Sequence, residues 1–249
     1  MQTILLVIFA IYGTVIGSFL NVCVYRLPRK LPIARGRSMC PKCGAQLRAV
    51  DLIPLVSFVA LRRRCRTCGA PISWRYPAVE AATGLLFALS YLRYGLSAHA
   101  ILICLYLSVL LVVALIDQDT QEIPDRLHVI IAVLAVASFW TSPTLTVWEH
   151  LIGAVCLSLP MLAVALLTGG FGGGDVKLVA VSGLLLGWRA MLLAALFSSV
   201  LAACYGLTLL AQHKATLKTQ FAFGPWLCLA LAAVSLYGDA LWRLLFLRG

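Results

Sequence analysis

The chain has 249 residues, 62% of them hydrophobic and 12% charged, with a net charge of +11. Soluble domains are roughly half apolar and about a quarter charged, so a lipid bilayer rather than water is the solvent for most of this chain. Twelve of the twenty Lys and Arg fall between Arg26 and Arg75; without any nucleic-acid module motif, that cluster points to a loop held on one side of a membrane beside anionic headgroups, and excludes nucleic acid as a partner.

In chain order, eight apolar segments are expected as transmembrane helices of an all-α polytopic membrane protein. The first covers about Thr3–Tyr25. It has neither a basic leader region nor a small-residue cleavage site, so it reads as a span and not as a cleaved signal peptide. The basic loop, residues 26–75, comes next. The second segment is about Tyr76–Leu92 and the third about His99–Asp117, followed by a polar stretch, Gln118–Arg126. The fourth is about Leu127–Trp140 and the fifth about Trp148–Thr168. Glycine then fills five of the six positions of Gly169–Gly174. The run Val176–Ala211 is too long for one ordinary span, and Gly187-Trp188-Arg189 divides it into a short sixth and a full seventh helix. The eighth covers about Phe223–Phe246. The chain thus divides into residues 1–92, two helices carrying the loop, and residues 93–249, a six-helix core. Placing the loop inside puts sixteen Lys and Arg on the inner side, Arg126, Lys177, Lys214 and Lys218 included, against four outside, Arg93, Arg189, Arg243 and Arg248. That bias places the loop in the cytoplasm and both termini outside.

The chain holds nine acidic residues, and Asp117, Asp119, Glu122 and Asp125 fall within nine positions. Asp117 ends an apolar run and is the most deeply placed. Charge at membrane depth is costly and faces a bundle interior or a cavity. Asp175 opens the sixth helix at the same inner edge, although 58 positions away. Two neighbouring carboxylates hold one proton between them. The ionised member can take a proton from water while the protonated member donates to a carbonyl oxygen, as in aspartic proteases. The glycines before Asp175 allow a peptide backbone to approach. Asp125 is a candidate cap for the fourth helix, and Asp119 and Glu122 read mainly as loop acids. A second reading of intramembrane acids is a proton-coupled transporter.

Cys40-Pro41-Lys42-Cys43-Gly44 and Cys65-Arg66-Thr67-Cys68-Gly69 are two Cys-x-x-Cys knuckles with 21 residues between them. Each can turn two thiolates toward one metal, and together they complete a tetrahedral structural zinc site. Arg62, Arg63, Arg64 and Arg66 would offset thiolate charge. A pair of disulfides is the rival, disfavoured in a reducing cytoplasm. The other five cysteines lie in apolar stretches as small hydrophobes. Arg26 and Glu80, at the ends of the first two helices, could clamp a substrate or a methyl donor, or could be a snorkelling arginine and an interfacial acid. His99, His128, His150 and His213 show no metal spacing and receive no role.

Gly172-Gly173-Gly174-Asp175 matches the GxGD motif of intramembrane aspartyl proteases, continued by Val176-Lys177-Leu178. Asp117-Gln118-Asp119 with Ile123-Pro124-Asp125 resembles the first acidic motif of bacterial type IV prepilin peptidases. Gly17-Ser18-Phe19-Leu20-Asn21-Val22, Arg26-Leu27-Pro28, Arg75-Tyr76-Pro77 with Glu80, and Phe223-Gly224-Pro225 are similar to further motifs of that family, in the same order. Asp51-Leu52-Ile53-Pro54 departs from an Asn-Ile-Pro variant often found there. The resemblance implies cleavage of a prepilin or pseudopilin leader after a glycine, at the cytoplasmic face of the inner membrane. It also implies N-methylation of the new N-terminus with S-adenosylmethionine. It maps the catalytic pair onto Asp117 and Asp175, with Asp119, Asp125, Gly172, Gly174 and Lys177 in support, and many members carry the four-cysteine loop.

Overall fold

Backbone polar groups have no water to bond in hydrocarbon, and a helix satisfies them internally. The computed structural model is accordingly helical. It describes residues 1–33, 36–142, 144–212 and 222–246, so Arg35, His213, Lys214, Lys218 and Arg248 lie outside the described residues. Among the described residues there are ten α-helices, one 3-10 turn and no β-strand beyond isolated bridges. The chain forms two compact units, Met1–Ala100 and Ile101–Gly249.

In the first unit, α1 (Gln2–Arg26) packs along α3 (Arg75–Tyr94), and the loop between them carries a 3-10 turn (Ala49–Leu52) and a short α2 (Val56–Ala60). The helix pair can approach closely because α1 presents Gly13 and Gly17, four apart on one face. A Cβ at Gly17 would stand 2.8 Å from the Glu80 Cα. One turn later, buried Asn21 donates from Nδ2 to the Tyr76 carbonyl of α3 at 3.2 Å. The Gly17–Val22 motif is therefore a helix-packing motif: it sets how α1 and α3 meet.

The second unit comprises most of α4 (Ala98–Thr120), then α5 (Asp125–Thr141), α6 (Val147–Cys156), α7 (Ser158–Thr168), α8 (Gly173–Leu186), α9 (Trp188–Ala211) and α10 (Gly224–Phe246). α8 packs on α5 and α6, and α9 on α10. Among the described residues, five stretches are long and apolar enough to cross a bilayer: α1, α4, α6 with α7, α9 and α10. α3, with 20 residues, α5 with 17 and α8 with 14 are not among them. α4 is the most buried of the five, 61% of its apolar window against at most 28% in the others.

The expected break at Gly187 is present, where φ is +78°. The fifth expected segment is itself broken at Leu157, between α6 and α7. Pro160 supplies the reason, since it has no N–H to return to the Cys156 carbonyl. α4 runs a turn beyond its expected end, so Asp117 lies inside the helix and its main chain is held there, the Gln121 N–H donating to its carbonyl at 2.9 Å. Asp125 does not cap α5. Pro124 occupies the cap position, and Asp125 is the first helical residue, its side chain turned to Lys177.

Candidate functional site

Asp117 is only 6% exposed, the one buried acid of its four-member cluster, while Asp119, Glu122 and Asp125 are exposed. Its Oδ2 accepts the Gly224 N–H at 3.1 Å. Gly224 opens α10, where the first backbone N–H groups have no helical partner and suit an anionic group. A Cβ at Gly224 would lie 2.6 Å from that carboxylate oxygen, so residue 224 must be glycine for α10 to meet Asp117 this way. Phe223-Gly224-Pro225, a motif without a role in the sequence, thus holds one acid.

Asp175 sits in the first turn of α8, with Gly172 as the cap residue. It is within electrostatic reach of Asp117, and both act on Cys228, buried in α10. Asp175 Oδ1 is buried and has no hydrogen-bond partner among the described residues. Such an atom is suited to a reacting water or peptide group. Phe171, before the glycines, meets Phe223 edge-on at 5.7 Å between ring centres, so the flanks of both acids touch.

The Gly-rich turn rests on the Ile123-Pro124-Asp125 segment. A Cβ at Gly174 would stand 3.2 Å from the Ile123 Cβ. Lys177 Nζ, one turn into α8, pairs with Asp125 Oδ1 at 2.7 Å, both side chains being solvent-exposed. His128, 5% exposed, reaches from α5 to the Gly174 carbonyl, 3.0 Å from Nε2. Its Nδ1 lies 3.6 Å from Asp125 Oδ1. This histidine was missed in the sequence; its only signal there was a place three residues after Asp125, on the same helical face. His150 is also buried, but its Nδ1 meets the Leu184 carbonyl at 2.7 Å and its ring stacks on Phe139, which accounts for it as packing between helices.

In the first unit the two knuckles fold alike. The Cys40 N–H donates to the Ala45 carbonyl and the Gly44 N–H returns to the Cys40 carbonyl, both at 2.9 Å. The Cys65 N–H and Gly69 N–H repeat this at 2.8 and 2.9 Å, and Gly44 and Gly69 have φ of +71° and +69°. All four Sγ atoms lie within 4.8 Å of one another, Cys40 and Cys68 at 3.9 Å. Tetrahedral metal–sulfur bonds of about 2.3 Å require S···S edges of roughly 3.8 Å, close to the Cys40–Cys68 separation, so the four sulfurs could gather on one metal ion. The four cysteines are free of disulfides. The Cys68 and Thr67 N–H groups pull the Cys65 thiol down to about 6. Cys68 is pushed up to about 11: the Ala70 N–H acts against that, and the neighbouring Cys43 sulfur, burial and the Cys65 and Cys40 sulfurs outweigh it. Four thiols this close all ionise only with a cation among them.

The remaining candidates organise this loop. Arg26 donates to the carbonyls of Pro32, at 2.9 Å, and of Ile33, Gly36 and Arg37. Glu80, 8% exposed, accepts the Leu55 N–H at 2.8 Å. Leu55 has φ of +60°, unfavourable for a branched side chain, and the Glu80 contact holds it there. Arg66 grips Asp51, at 2.7 and 3.0 Å.

The pattern described as the bacterial peptidase A24 N-terminal domain matches residues 11–94, and that of the type IV leader peptidase family matches residues 104–207. The chain is 34% identical to a prepilin leader peptidase/N-methyltransferase of Bacillus subtilis (strain 168), over 95% of this chain and 96% of that protein. It is 36% identical to the protein of that name from Stutzerimonas stutzeri, covering 92% of this chain and 89% of the relative. With the Pseudomonas aeruginosa protein of the same name the identity is 34%, over 93% of this chain and 90% of the other. No solved structure matches the chain.

Proposed function

The chain belongs to the type IV leader peptidase family, and on that premise we propose that Asp117 and Asp175 are the acid pair with which it cuts prepilins. It is an integral membrane enzyme, a prepilin leader peptidase and N-methyltransferase. The observation that carries the dyad is the convergence of both acids on the start of α10, one anchored by the Gly224 N–H and the other presenting an unpartnered oxygen.

The chemistry needs one proton on the pair. The ionised carboxylate takes a proton from water as the water oxygen bonds to the scissile carbonyl carbon. The protonated carboxyl gives its proton to the carbonyl oxygen. Collapse of the tetrahedral intermediate breaks the C–N bond: the departing amine takes the proton first removed from water, and the other carboxylate recovers its proton from the collapsing hydroxyl, which restores the pair. Gly172 leaves room for an extended peptide beside Asp175, Gly174 lets the turn seat against Ile123, Lys177 and Asp125 brace the turn, and Asp119 stays at the exposed rim. The substrates are prepilins or pseudopilins, cut after a glycine at the cytoplasmic face of the inner membrane. By the charge bias, the cysteine loop faces the cytoplasm and both termini face outward. The short α3, α5 and α8 complete eight membrane segments.

Zinc is the metal that four thiolates with this spacing favour. Cys40, Cys43, Cys65 and Cys68 would hold it, with no open position for catalysis, so it would tie the two knuckles together. The methyl donor is S-adenosylmethionine. Arg26 and Glu80 are already bonded to loop backbone, so these residues do not fit a preformed donor site and no transfer step is assigned to them. A transporter finds no support in the family.

Replacing Asp117 or Asp175 by Ala and following leader removal from a prepilin in membranes tests the dyad. Loss by at least about a thousandfold is expected for each; retained cleavage by either variant contradicts the assignment.

A further inference from the structure

We propose that His128 is a positioning residue for the peptidase reaction, a latch that holds the glycine turn carrying Asp175. The proposal rests on the reading of Asp175 as a reacting acid.

Three consecutive glycines, Gly172–Gly174, precede Asp175, and glycine is the least conformationally restrained residue. Gly173 and Gly174 open α8, where the Asp175 N–H reaches only the Gly172 carbonyl, and two glycines weaken the hold of that first turn on the acid, so an outside contact helps to keep one geometry. His128 supplies a direct one. Gly174 is the residue immediately before Asp175, and its carbonyl oxygen stands 3.0 Å from His128 Nε2. A carbonyl only accepts, so Nε2 carries the hydrogen and donates. That donation exists both in the neutral Nε2–H ring and in the imidazolium, so the latch does not depend on the charge of the ring.

The ring is confined by packing. Its side chain is 6% exposed, and Nδ1, which has no hydrogen-bond partner among the described residues, stands 3.6 Å from Asp125 Oδ1. The same carboxylate oxygen receives Lys177 Nζ at 2.7 Å. Asp125 and His128 belong to the first turn of α5 and Gly174 to the first turn of α8, with Lys177 the residue just after it, so the arrangement joins two helix starts on either side of Asp175. The Lys177–Asp125 pair is solvent-exposed and contributes little by itself. The buried member, His128, is the one that touches the main chain next to the acid. A reacting group displaced by about 1 Å can lose roughly a hundredfold in rate.

The test uses the full-length enzyme in detergent or nanodiscs with a prepilin substrate. It compares His128→Leu, His128→Gln and His128→Asn with wild type and Asp175→Asn. Glutamine places an N–H donor near the position of Nε2, whereas asparagine places it near Nδ1, short of the Gly174 carbonyl. With His128→Leu and His128→Asn, kcat is expected to fall about tenfold to a hundredfold with KM changed less than about threefold, and His128→Gln to restore kcat to within about threefold of wild type. Wild-type kcat in His128→Leu overturns the proposal, and so does an equal loss in the Gln and Asn variants. Should the Leu variant fail to accumulate, the Gln and Asn pair decides the matter alone. The control separates two failures. Cleavage by Asp175→Asn sinks the reading of the acid site itself. An inactive Asp175→Asn beside a fully active His128→Leu removes only the role of the histidine.

Discussion

In the cysteine loop of the first unit the polar contacts are short in sequence, although the two helices that carry it are tied across 55 positions by Asn21 and Tyr76. Arg66 meets Asp51 across 15 positions, Glu80 meets the Leu55 N–H across 25, and Cys40 meets Cys68 across 28. In the second unit they are long: 46 positions from His128 to Gly174, 52 from Asp125 to Lys177 and 107 from Asp117 to Gly224. The loop between α1 and α3 can order itself around its own knuckles, with a metal contributing folding free energy directly. The acid site depends on four helix segments arriving in register, so its geometry is a property of helix packing. Disturbance of the first should be felt as loss of metal and local order, and disturbance of the second as loss of rate.

Substitutions at three places sharpen that contrast, from the largest expected effect down. Cys40→Ser or Cys65→Ser removes a ligand that nothing nearby replaces. Wild type is expected to carry about one zinc per chain and either variant none, measured by elemental analysis of purified protein. A metal-free wild type with the full fold would break the comparison at its first half. Gly224→Ala is a change of one methyl group, yet that carbon would stand 2.6 Å from Asp117 Oδ2. Cleavage is expected to fall about a hundredfold while metal content and yield stay as in wild type, read by kcat beside elemental analysis. Gly17→Leu forces side-chain atoms against the Glu80 backbone of α3, a cost of about 1–3 kcal/mol by analogy with overpacked cores. A lower unfolding temperature is expected; an unchanged one would mean that α1 and α3 do not depend on this close approach.

The same contrast explains what was legible in the sequence. The knuckles were readable because ligand spacing is local. The helices were readable because a run of apolar residues needs no partner to declare itself, and the break at Gly187 was visible for the same reason. Asp117 stood out from its neighbours through depth alone, and its burial in α4 agrees with that. The break at Leu157 had a signal in Pro160 that long hydrophobicity masked. Asp125 looked like a cap because an acid at a helix start usually is one, but a lysine 52 positions away competes for it. His128 and Gly224 could not be assigned, since each acquires meaning only from a backbone atom delivered by another helix. Arg26 and Glu80 looked like free charges at helix ends, and the loop that occupies them has no sequence periodicity to announce it.

The most direct measurement follows a prepilin through the reaction by intact mass, using wild type and the Asp117→Asn and Asp175→Asn variants, each verified as folded and metal-loaded. Wild type is expected to give a product shortened by the leader, its new N-terminus carrying one methyl group, and both variants only the full-length substrate. A shortened product from either variant at a rate near wild type would contradict the pairing of Asp117 with Asp175.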